Sequence, residues 1–239
     1  MTAGVERDPR LDRYDWQPIR DRLDQQGFSV LENLMSAQEC GEIAATFDRD
    51  DEFRSHIVMR RFGFGEGEYK YFAYPLPPLV AALRRGLYER LVDLANDWSR
   101  KSHRNRPYPA DHEGFLKRCH ARDQRRPTPL LLRYRTGDYN RLHQDLYGET
   151  SFPLQITVLL DRPGKDFEGG EFVLTEQKPR AQSRVRVVPL AQGDAVVFAV
   201  NERPAKGTRG YYRLKTRHGI SELRAGLRRA LGIIFHDAA

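Results

Sequence analysis

The stretch that decides the fold is PLLLRYRTGDYNRLHQD, residues 129–145. Its first part alternates, so that Leu132 and Tyr134 fall on one face of an extended chain and Arg133 and Arg135 on the other. Thr-Gly-Asp, a set of turn residues, follows directly. We therefore predict a strand with Tyr134 pointing inward, then a turn, and then the short motif His-x-Asp.

That motif consists of His143 and Asp145, and a second histidine, His218, lies far along the chain in TRHGISEL. Two imidazoles and one carboxylate form the ligand set that holds Fe(II) on one face and leaves positions open for substrate and oxygen. The structural alternative is a surface histidine beside an aspartate in a loop. The order of strand, glycine turns, further strands and then His218 favours the metal site.

Ten residues after His218, the last apolar run, LRRALGIIFH, carries Arg228. Arg228 shares its face of the strand with small residues, which leaves room for a ligand, whereas Arg229 has bulky neighbours and can reach solvent. A guanidinium grips a carboxylate with two parallel hydrogen bonds. We therefore predict that Arg228, rather than Arg229 or the turn residue Arg224, binds a carboxylate co-substrate.

The rest of the C-terminal half consists of short apolar runs separated by turn residues. Together with the two runs above they make at least seven strands, which predicts a double-sheet jelly roll. These further runs are FPLQITVLLD (152–161), GGEFVLTE (169–176), RVRVVPL (184–190), AVVFAV (195–200) and YYRLKTRHGISEL (211–223).

The N-terminal half is predicted to be rich in helix. The expected helices follow from helical spacing, a capping-box pattern and a leucine repeat. They are Trp16–Gln26, the segment after Ser36 and Glu39, the segment after Pro77 and Pro78, and a shorter piece within Asp111–Arg122. We therefore predict an α+β protein in which a helix-rich N-terminal region, residues 1–125, braces a jelly-roll core, residues 126–239.

Composition limits the classes of protein. The chain has 239 residues, 39% of them hydrophobic, enough for one core or a core with a helical subdomain. Its formal net charge of +7 suits a polyanion such as nucleic acid, although an ordinary solvated basic surface is the alternative. Cys40 and Cys119 have no metal spacing and indicate free thiols. The sequence shows no apolar leader and no membrane span, so we expect a cytoplasmic protein.

One stretch outside the strand-rich half is unusual: RRFGFGEGEYKYFAYPLP, residues 60–77. Its glycines allow tight turns, and its interleaved aromatic and basic side chains suit a flipped or unpaired base. We interpret it as a possible substrate lid. The alternative is that its aromatic residues fill the gap between the helices and the barrel. The candidate substrate-binding residues are Tyr69, Tyr71, Tyr74, Arg60 and Arg61.

The C-terminal half resembles the Fe(II)/2-oxoglutarate-dependent oxygenase superfamily in its His143-x-Asp145 motif, His218, and the Gly-Leu-Arg that contains Arg228. The resemblance implies Fe(II) on the first three residues and O2 as co-substrate. It implies 2-oxoglutarate with its far carboxylate on Arg228 and with Tyr134 as a second donor. The GEGEYKYFAYPLP stretch and the terminal GIIFHDA resemble a narrower bacterial group thought to act on damaged nucleic acid.

The resemblance implies a dioxygenase that hydroxylates a C–H bond while 2-oxoglutarate is decarboxylated to succinate. Alkylated bases in single-stranded or damaged nucleic acid are the first candidate substrate, with oxidative demethylation as the outcome. A prolyl-type protein hydroxylase or a small-molecule hydroxylase is the alternative, because nucleic-acid demethylases of this superfamily usually carry a second arginine that is not clear here. An inactive jelly-roll binding module is the non-enzymatic alternative.

Overall fold

The protein folds as two antiparallel β-sheets with helices against one of them. The structure is a computed structural model and describes residues 9–104, 106–145 and 148–239. Part of the N-terminal stretch in which no apolar leader is predicted lies outside these ranges. The described α-helices are α1 (Trp16–Gln26), α2 (Ala37–Ala45), α3 (Pro78–Lys101) and α4 (His112–His120). Short 3-10 turns cover Pro9–Leu11, Thr46–Asp48, Asp50–Glu52 and Met59–Phe62.

Fourteen strands lie in the described ranges. The first seven are β1 (Phe28–Leu31), β2 (Phe53–Val58), β3 (Gly65–Glu66), β4 (Glu68–Phe72), β5 (Leu130–Arg135), β6 (Tyr139–His143) and β7 (Leu154–Leu159). The other seven are β8 (Phe167–Gly169), β9 (Phe172–Gln177), β10 (Ser183–Val188), β11 (Ala195–Ala199), β12 (Glu202–Gly207), β13 (Gly210–Ile220) and β14 (Leu223–Ile233).

The strands form a major and a minor sheet. The major sheet has the order β1-β11-β7-β14-β5-β4-β2, with β8 pairing to β14. The minor sheet has the order β10-β9-β13-β6-β3, with β12 pairing to β13. Every paired strand in them is antiparallel to its neighbours. The predicted α+β class with a jelly-roll core is confirmed.

The four predicted helices are present, and α1 ends and α2 begins at the residues that the sequence marks. Asp15 caps α1 by accepting a hydrogen bond from the Gln17 backbone, and α1 ends at Gly27, whose φ of 78° is left-handed. Ser36 and Glu39 form the predicted capping box of α2. The buried faces of the four helices, α1 to α4, pack against one face of the major sheet in a single apolar cluster. The other face of that sheet turns toward the minor sheet.

Four strands in the N-terminal half, β1 to β4, were not predicted. β1 pairs with β11 and β4 with β5, so strands from both sides of the predicted boundary at residues 125/126 share one sheet. The reason is physical: β1, β3 and β4 pair with strands far away in sequence, which local patterns do not report, and β2 pairs with β4. The boundary itself stays a prediction.

Both cysteines are buried free thiols, as expected. Burial raises the pKa of Cys40 to about 11 and also raises that of Cys119, which makes both poor nucleophiles. In the described ranges no helix combines the length and the apolar character that crossing a bilayer requires. The cytoplasmic location stays a prediction.

Candidate metal and co-substrate site

Three side chains from the sequence motifs converge between the two sheets. His143 is the last residue of β6, Asp145 follows two residues later, and His218 on β13 lies directly opposite His143 in the strand register. Their candidate ligand atoms all lie within 4.8 Å of one another. Nε2 of His143 and Nε2 of His218 are each 3.4 Å from a different oxygen of Asp145. This is the geometry of a site for one divalent metal ion.

The surrounding residues orient both imidazoles. Nδ1 of His143 lies 2.7 Å from the carbonyl oxygen of Arg141, so an Nδ1–H donor leaves Nε2 free to bind metal. The ring of His218 packs against Phe198, with centroids 4.6 Å apart, and against Phe172 at 6.1 Å. Such contacts fix the ring planes before any metal binds, which lowers the entropic cost of binding.

The residue between the two motif ligands, Gln144, holds this segment in place by hydrogen bonds to the backbone. Gln144 donates from Nε2 to the carbonyl oxygen of Thr216 at 2.7 Å and to that of Asn201 at 3.3 Å. Because Thr216 lies two residues before His218, this bond ties the His-x-Asp segment to the strand that carries the third ligand. The sequence reasoning did not identify Gln144.

The electrostatics of the three residues suit a cation. Burial alone would raise the pKa of Asp145, but hydrogen bonds and charges from the two histidines outweigh it and hold that pKa well below its ordinary value. Burial, together with the charge of His143, lowers the pKa of His218. Burial alone would lower the pKa of His143, but the hydrogen bond and charge of Asp145, with the bond to the Arg141 carbonyl, together outweigh burial and raise that pKa. An ionised carboxylate between two imidazoles is the donor set that a divalent metal requires.

A cavity of about 190 Å³ opens beside these three residues and is walled mainly by apolar side chains. Both sheets contribute to its walls, and Tyr134 and Arg228 line it together with the metal-binding residues. The remaining lining residues are Phe64, Tyr69, Leu130, Leu132, Asn140, Gln144, Gln155, Thr157, Phe172, Gly219, Ile220, Ala230 and Gly232. An apolar cavity with a few polar groups is typical of a small-molecule site.

Arg228 is the charged residue whose placement is hardest to explain without a ligand. It lies on β14 opposite Tyr134 on β5, and only 1% of its surface is exposed. Its Nε and Nη1 have no hydrogen-bond partner in the part of the chain that the structure describes. The guanidinium carbon is 5.7 Å from the Tyr134 ring centroid and 5.9 Å from that of Phe167. A buried cation with unused donors is costly, so this geometry indicates a place for an anion.

Tyr134 supplies a second polar group at the same end of the cavity. Burial raises the pKa of Tyr134 to about 12, so its hydroxyl is neutral and can donate a hydrogen bond. The hydroxyl oxygen accepts a bond from Nδ2 of Asn140 at 3.3 Å. A carboxylate at this point would thus meet a guanidinium and a phenol together.

The neighbouring arginines have other partners. Arg229 directs Nε and Nη2 to Asp161 at 3.1 and 2.6 Å, on the side of the strand away from the cavity. Arg224 is exposed and lies 3.5 Å from Glu171. The predicted assignment of faces on the last strand therefore agrees with the structure, and Arg228 is the arginine that lines the cavity.

Two glycines fit the walls closely around this end. A Cβ on Gly170 would lie 2.9 Å from Cδ of Arg228, and a Cβ on Gly67 would lie 2.9 Å from the Tyr134 ring. Both glycines have positive φ angles, 61° and 117°. The sequence contains Gly-Gly and Gly-Glu-Gly, but it does not show which side chains these glycines contact.

The candidate substrate residues separate in the structure. Tyr69 lines the cavity. Tyr71 is buried, and Tyr74 donates a hydrogen bond to Asp237 outside the cavity walls. Phe64, which the sequence reasoning did not name, lines the cavity mouth. The lid interpretation stays a prediction for residues 60–67, whereas residues 68–72 form β4 inside the major sheet. The two arginines that open the segment, Arg60 and Arg61, are exposed.

A second buried ionic group stabilises the fold rather than the site. Arg84 on α3 is 1% exposed and donates to Asp237 at 2.8 Å and to the carbonyl oxygens of Ile234 and Phe235. His120 also lies 2.9 Å from Asp237. These bonds fasten α3 and α4 to the segment after β14.

Fold and site together define an oxygenase of the Fe(II)/2-oxoglutarate class. The sequence model of the Oxygenase-NA family, whose description is "Oxygenase, catalysing oxidative methylation of damaged DNA", matches residues 67–238. The chain belongs to this family, and the superfamily suggested by its motifs is confirmed.

Relatives in sequence are uncharacterised. The chain is 46% identical over 168 residues to the Uncharacterized protein Rv2227 of Mycobacterium tuberculosis strain H37Rv, covering 70% of this chain and 72% of that protein. The Uncharacterized protein MT2286 of strain CDC 1551 matches equally. Their names assign neither an activity nor a substrate.

Solved structures share the fold at low identity. A Pseudomonas putida prolyl-4-hydroxylase matches with a TM-score of 0.56 and 13% identity, covering 94% of this chain and 99% of that one. A 2OG-Fe(II) oxygenase family oxidoreductase from Burkholderia pseudomallei matches with a TM-score of 0.55 and 17% identity, covering 95% and 94%. At these identities the likeness concerns the fold.

Family and fold together imply Fe(II), 2-oxoglutarate and O2, and the described residues fit that set. Two imidazole nitrogens and one carboxylate supply the ligands that Fe(II) accepts, with open positions on its other side. The unpartnered donors of Arg228 and the neutral Tyr134 hydroxyl match a carboxylate at the end of the cavity.

Proposed function

We propose that this protein is an Fe(II)/2-oxoglutarate-dependent dioxygenase that hydroxylates the methyl group of an alkylated base in damaged nucleic acid. The observation that carries the enzymatic part is the unpartnered, buried guanidinium of Arg228 in the same apolar cavity as the His-Asp-His group. The damaged-DNA description of the family supports the choice of substrate.

The residues divide into three roles. His143, Asp145 and His218 would hold the metal. Arg228 would bind the far carboxylate of 2-oxoglutarate with charged hydrogen bonds, and Tyr134 would donate another from its hydroxyl. When bound, Fe(II), 2-oxoglutarate and O2 supply the oxidant for the substrate C–H bond, and 2-oxoglutarate becomes succinate and CO2. The apolar walls keep water away from that chemistry.

The expected product follows from bond chemistry. Inserting oxygen into a C–H bond of an N-methyl group gives an N-hydroxymethyl group. Its C–N bond then breaks, the hydroxyl proton is lost, the nitrogen gains a proton, and formaldehyde leaves. An oxygenase acting on a methylated base therefore removes the methyl group, so we read the family's oxidative reaction on damaged DNA as a demethylation.

The cavity also contains polar groups that could hold a base. Gln155 on β7 is 4% exposed, and its Oε1 has no hydrogen-bond partner among the described residues. Thr157 lies two residues further along the same strand and also lines the cavity. A free amide oxygen can accept a hydrogen bond from an exocyclic amino group on a base. Unpartnered acceptors of this kind favour a substrate with N–H groups over a pure hydrocarbon.

A protein hydroxylase is the second candidate. The fold is shared with prolyl hydroxylases, and an extended peptide could reach the same metal. That likeness is one of fold at 13% identity, which does not extend to substrate. An inactive binding module would not explain why three metal ligands and a buried unpartnered arginine lie in one cavity.

The test combines metal retention with a substrate panel. We expect wild-type protein to retain Mn(II) and, with Fe(II) and 2-oxoglutarate in air, to form succinate and formaldehyde from a methylated single-stranded oligonucleotide. His143→Ala and Asp145→Ala should abolish metal retention and product formation. His56→Ala, a change at an exposed histidine bonded to Glu68, should leave metal retention and product formation in place.

Two results would count against the proposal. Undiminished 2-oxoglutarate turnover in the His143 or Asp145 variant would show that the metal assignment is wrong. Hydroxylation of peptides with no action on any oligonucleotide would retain the oxygenase and replace its substrate by a protein.

A further inference from the structure

Two exposed phenylalanines stand at the mouth of the cavity. Phe62 is 56% exposed and Phe64 is 47% exposed, although both are large apolar side chains. Their rings stack on each other, with centroids 5.5 Å apart and planes 20° apart. Phe64 also lines the cavity that contains the candidate metal ligands. Exposed aromatic surface next to a site indicates that something binds there.

The phenylalanines are exposed although the turn that carries them is held in place. The backbone N–H of Phe64 bonds to the carbonyl oxygen of Met59, and the Phe64 carbonyl accepts from the N–H of Arg141 on β6. Met59 is fully buried among cavity-side apolar residues, and β3, just after Phe64, pairs with β6. The rings are therefore presented to solvent by an anchored turn.

Three arginines lie near this aromatic pair along the backbone. Arg60 and Arg61 belong to the same turn, and Arg141 is joined to it by the backbone bond described above. All three arginines are exposed, and the nearest acidic partner of Arg60 is Glu66, at 3.9 Å. A stacking surface flanked by guanidinium groups complements a strand whose bases are unstacked and whose backbone is anionic.

We propose that Phe62 and Phe64 form a stacking platform for a nucleobase of single-stranded nucleic acid, next to the base that enters the cavity. Arg61 and Arg141 neutralise the flanking phosphates. This inference rests on the proposed function, because it names how that substrate is held. It differs from the sequence-based candidates, since two of the three predicted tyrosines lie away from the cavity walls.

The platform is tested by binding a methylated single-stranded oligonucleotide to Mn(II)-loaded protein, measured by fluorescence anisotropy. We expect the double variant Phe62→Ala, Phe64→Ala to bind about 5- to 150-fold more weakly, the equivalent of roughly 1–3 kcal/mol for one stacked base. Mn(II) retention should stay unchanged, because neither phenylalanine belongs to the metal-binding group. Val185→Ala with Val187→Ala, on β10, is the control, since those valines are 60% and 56% exposed and do not line the cavity.

Two further pairs separate stacking from simple apolar contact. Phe62→Trp with Phe64→Trp keeps a stacking face and should retain affinity, whereas Phe62→Leu with Phe64→Leu keeps apolar area and should lose affinity. A plot of log affinity against log salt concentration falls with salt. Arg61→Gln and Arg141→Gln should each make this plot less steep by about 0.7, the value for one phosphate on a single strand.

The outcomes distinguish this inference from the function on which it rests. Wild-type affinity in the Ala pair or the Leu pair would overturn the platform while leaving a demethylating wild-type enzyme intact. If wild-type protein itself failed to bind the oligonucleotide at low salt, the nucleic-acid substrate would be wrong and the platform would fall with it.

Discussion

The variant Arg228→Met tests whether Arg228 binds a ligand or stabilises the fold. In the absence of ligand, its Nε and Nη1 bond to nothing in the described residues, and burial lowers its pKa by penalising the charge. Replacing such a cation by an apolar side chain of similar length should leave the stability of the ligand-free protein unchanged or raise it. The same change removes a bidentate grip on 2-oxoglutarate, which costs roughly 2–5 kcal/mol, or about 30-fold to several thousand-fold in affinity.

Arg229 provides the matched control, because it is adjacent in sequence and points the other way. Its pair with Asp161 is partly exposed on the arginine side, and Asp161 itself is buried. Arg229→Ala leaves that carboxylate without its charged partner, which should cost about 1.5–3 kcal/mol of folding free energy. Affinity for 2-oxoglutarate should not change.

Both quantities are measurable on the same samples. Calorimetry on Mn(II)-loaded protein without oxygen gives the 2-oxoglutarate dissociation constant, and urea unfolding of the ligand-free protein gives stability. The reasoning is refuted if Arg228→Met destabilises the protein and still binds 2-oxoglutarate normally. A loss of affinity in Arg229→Ala alone would mean that the other face of the strand binds the co-substrate.

Two further predictions concern the walls and the fold. Gly67→Ala and Gly137→Ala both place a side chain at positive φ, 117° and 89°, and each should cost about 1–3 kcal/mol of stability. Only Gly67→Ala presses on the Tyr134 ring, so only it should weaken 2-oxoglutarate binding; equal binding would refute the contact. Asp237→Asn leaves buried Arg84 uncompensated and should cost about 3–5 kcal/mol at pH 7 by urea unfolding. Burial alone would raise the pKa of Asp237, but the charge and hydrogen bond of Arg84, with hydrogen bonds from His120 and Tyr74, outweigh burial and lower that pKa. The stabilisation present at neutral pH is therefore lost as pH falls through the lowered pKa. A difference from wild type that persisted at pH 2 would contradict this.

Much of the fold and the candidate site followed from local sequence patterns. The capping box of α2, the left-handed Gly27 that ends α1, and the leucine repeat of α3 are local signals, and each gave its element. The placement of Arg228 followed from alternation along one strand, since Ala230 and Gly232 line the same cavity. Hydrophobic periodicity and capping residues reflect contacts between residues that are close together in sequence, so they predicted these elements correctly.

Two kinds of feature did not follow from sequence. Strands β1, β3 and β4 gain their stability from partners far away in the chain; Phe28, for example, pairs with Phe198. In residues 60–77 the positive-φ glycines at 63, 65 and 67 interrupt any regular alternation, so buried and exposed aromatics could not be told apart. That is why Tyr71 was selected and the exposed Phe62 was not.

The position of β14 in the major sheet has a consequence for how the protein is made. It is the last strand of the chain, yet it lies in the middle of the sheet, between β7 and β5. Until it emerges from the ribosome, β1-β11-β7 and β5-β4-β2 are separate half-sheets, each with an open edge. Arg228 arrives on that same strand, so the carboxylate-binding end of the cavity and the closure of the sheet form together. Synthesis that pauses before β14 would leave two edges able to pair with other molecules.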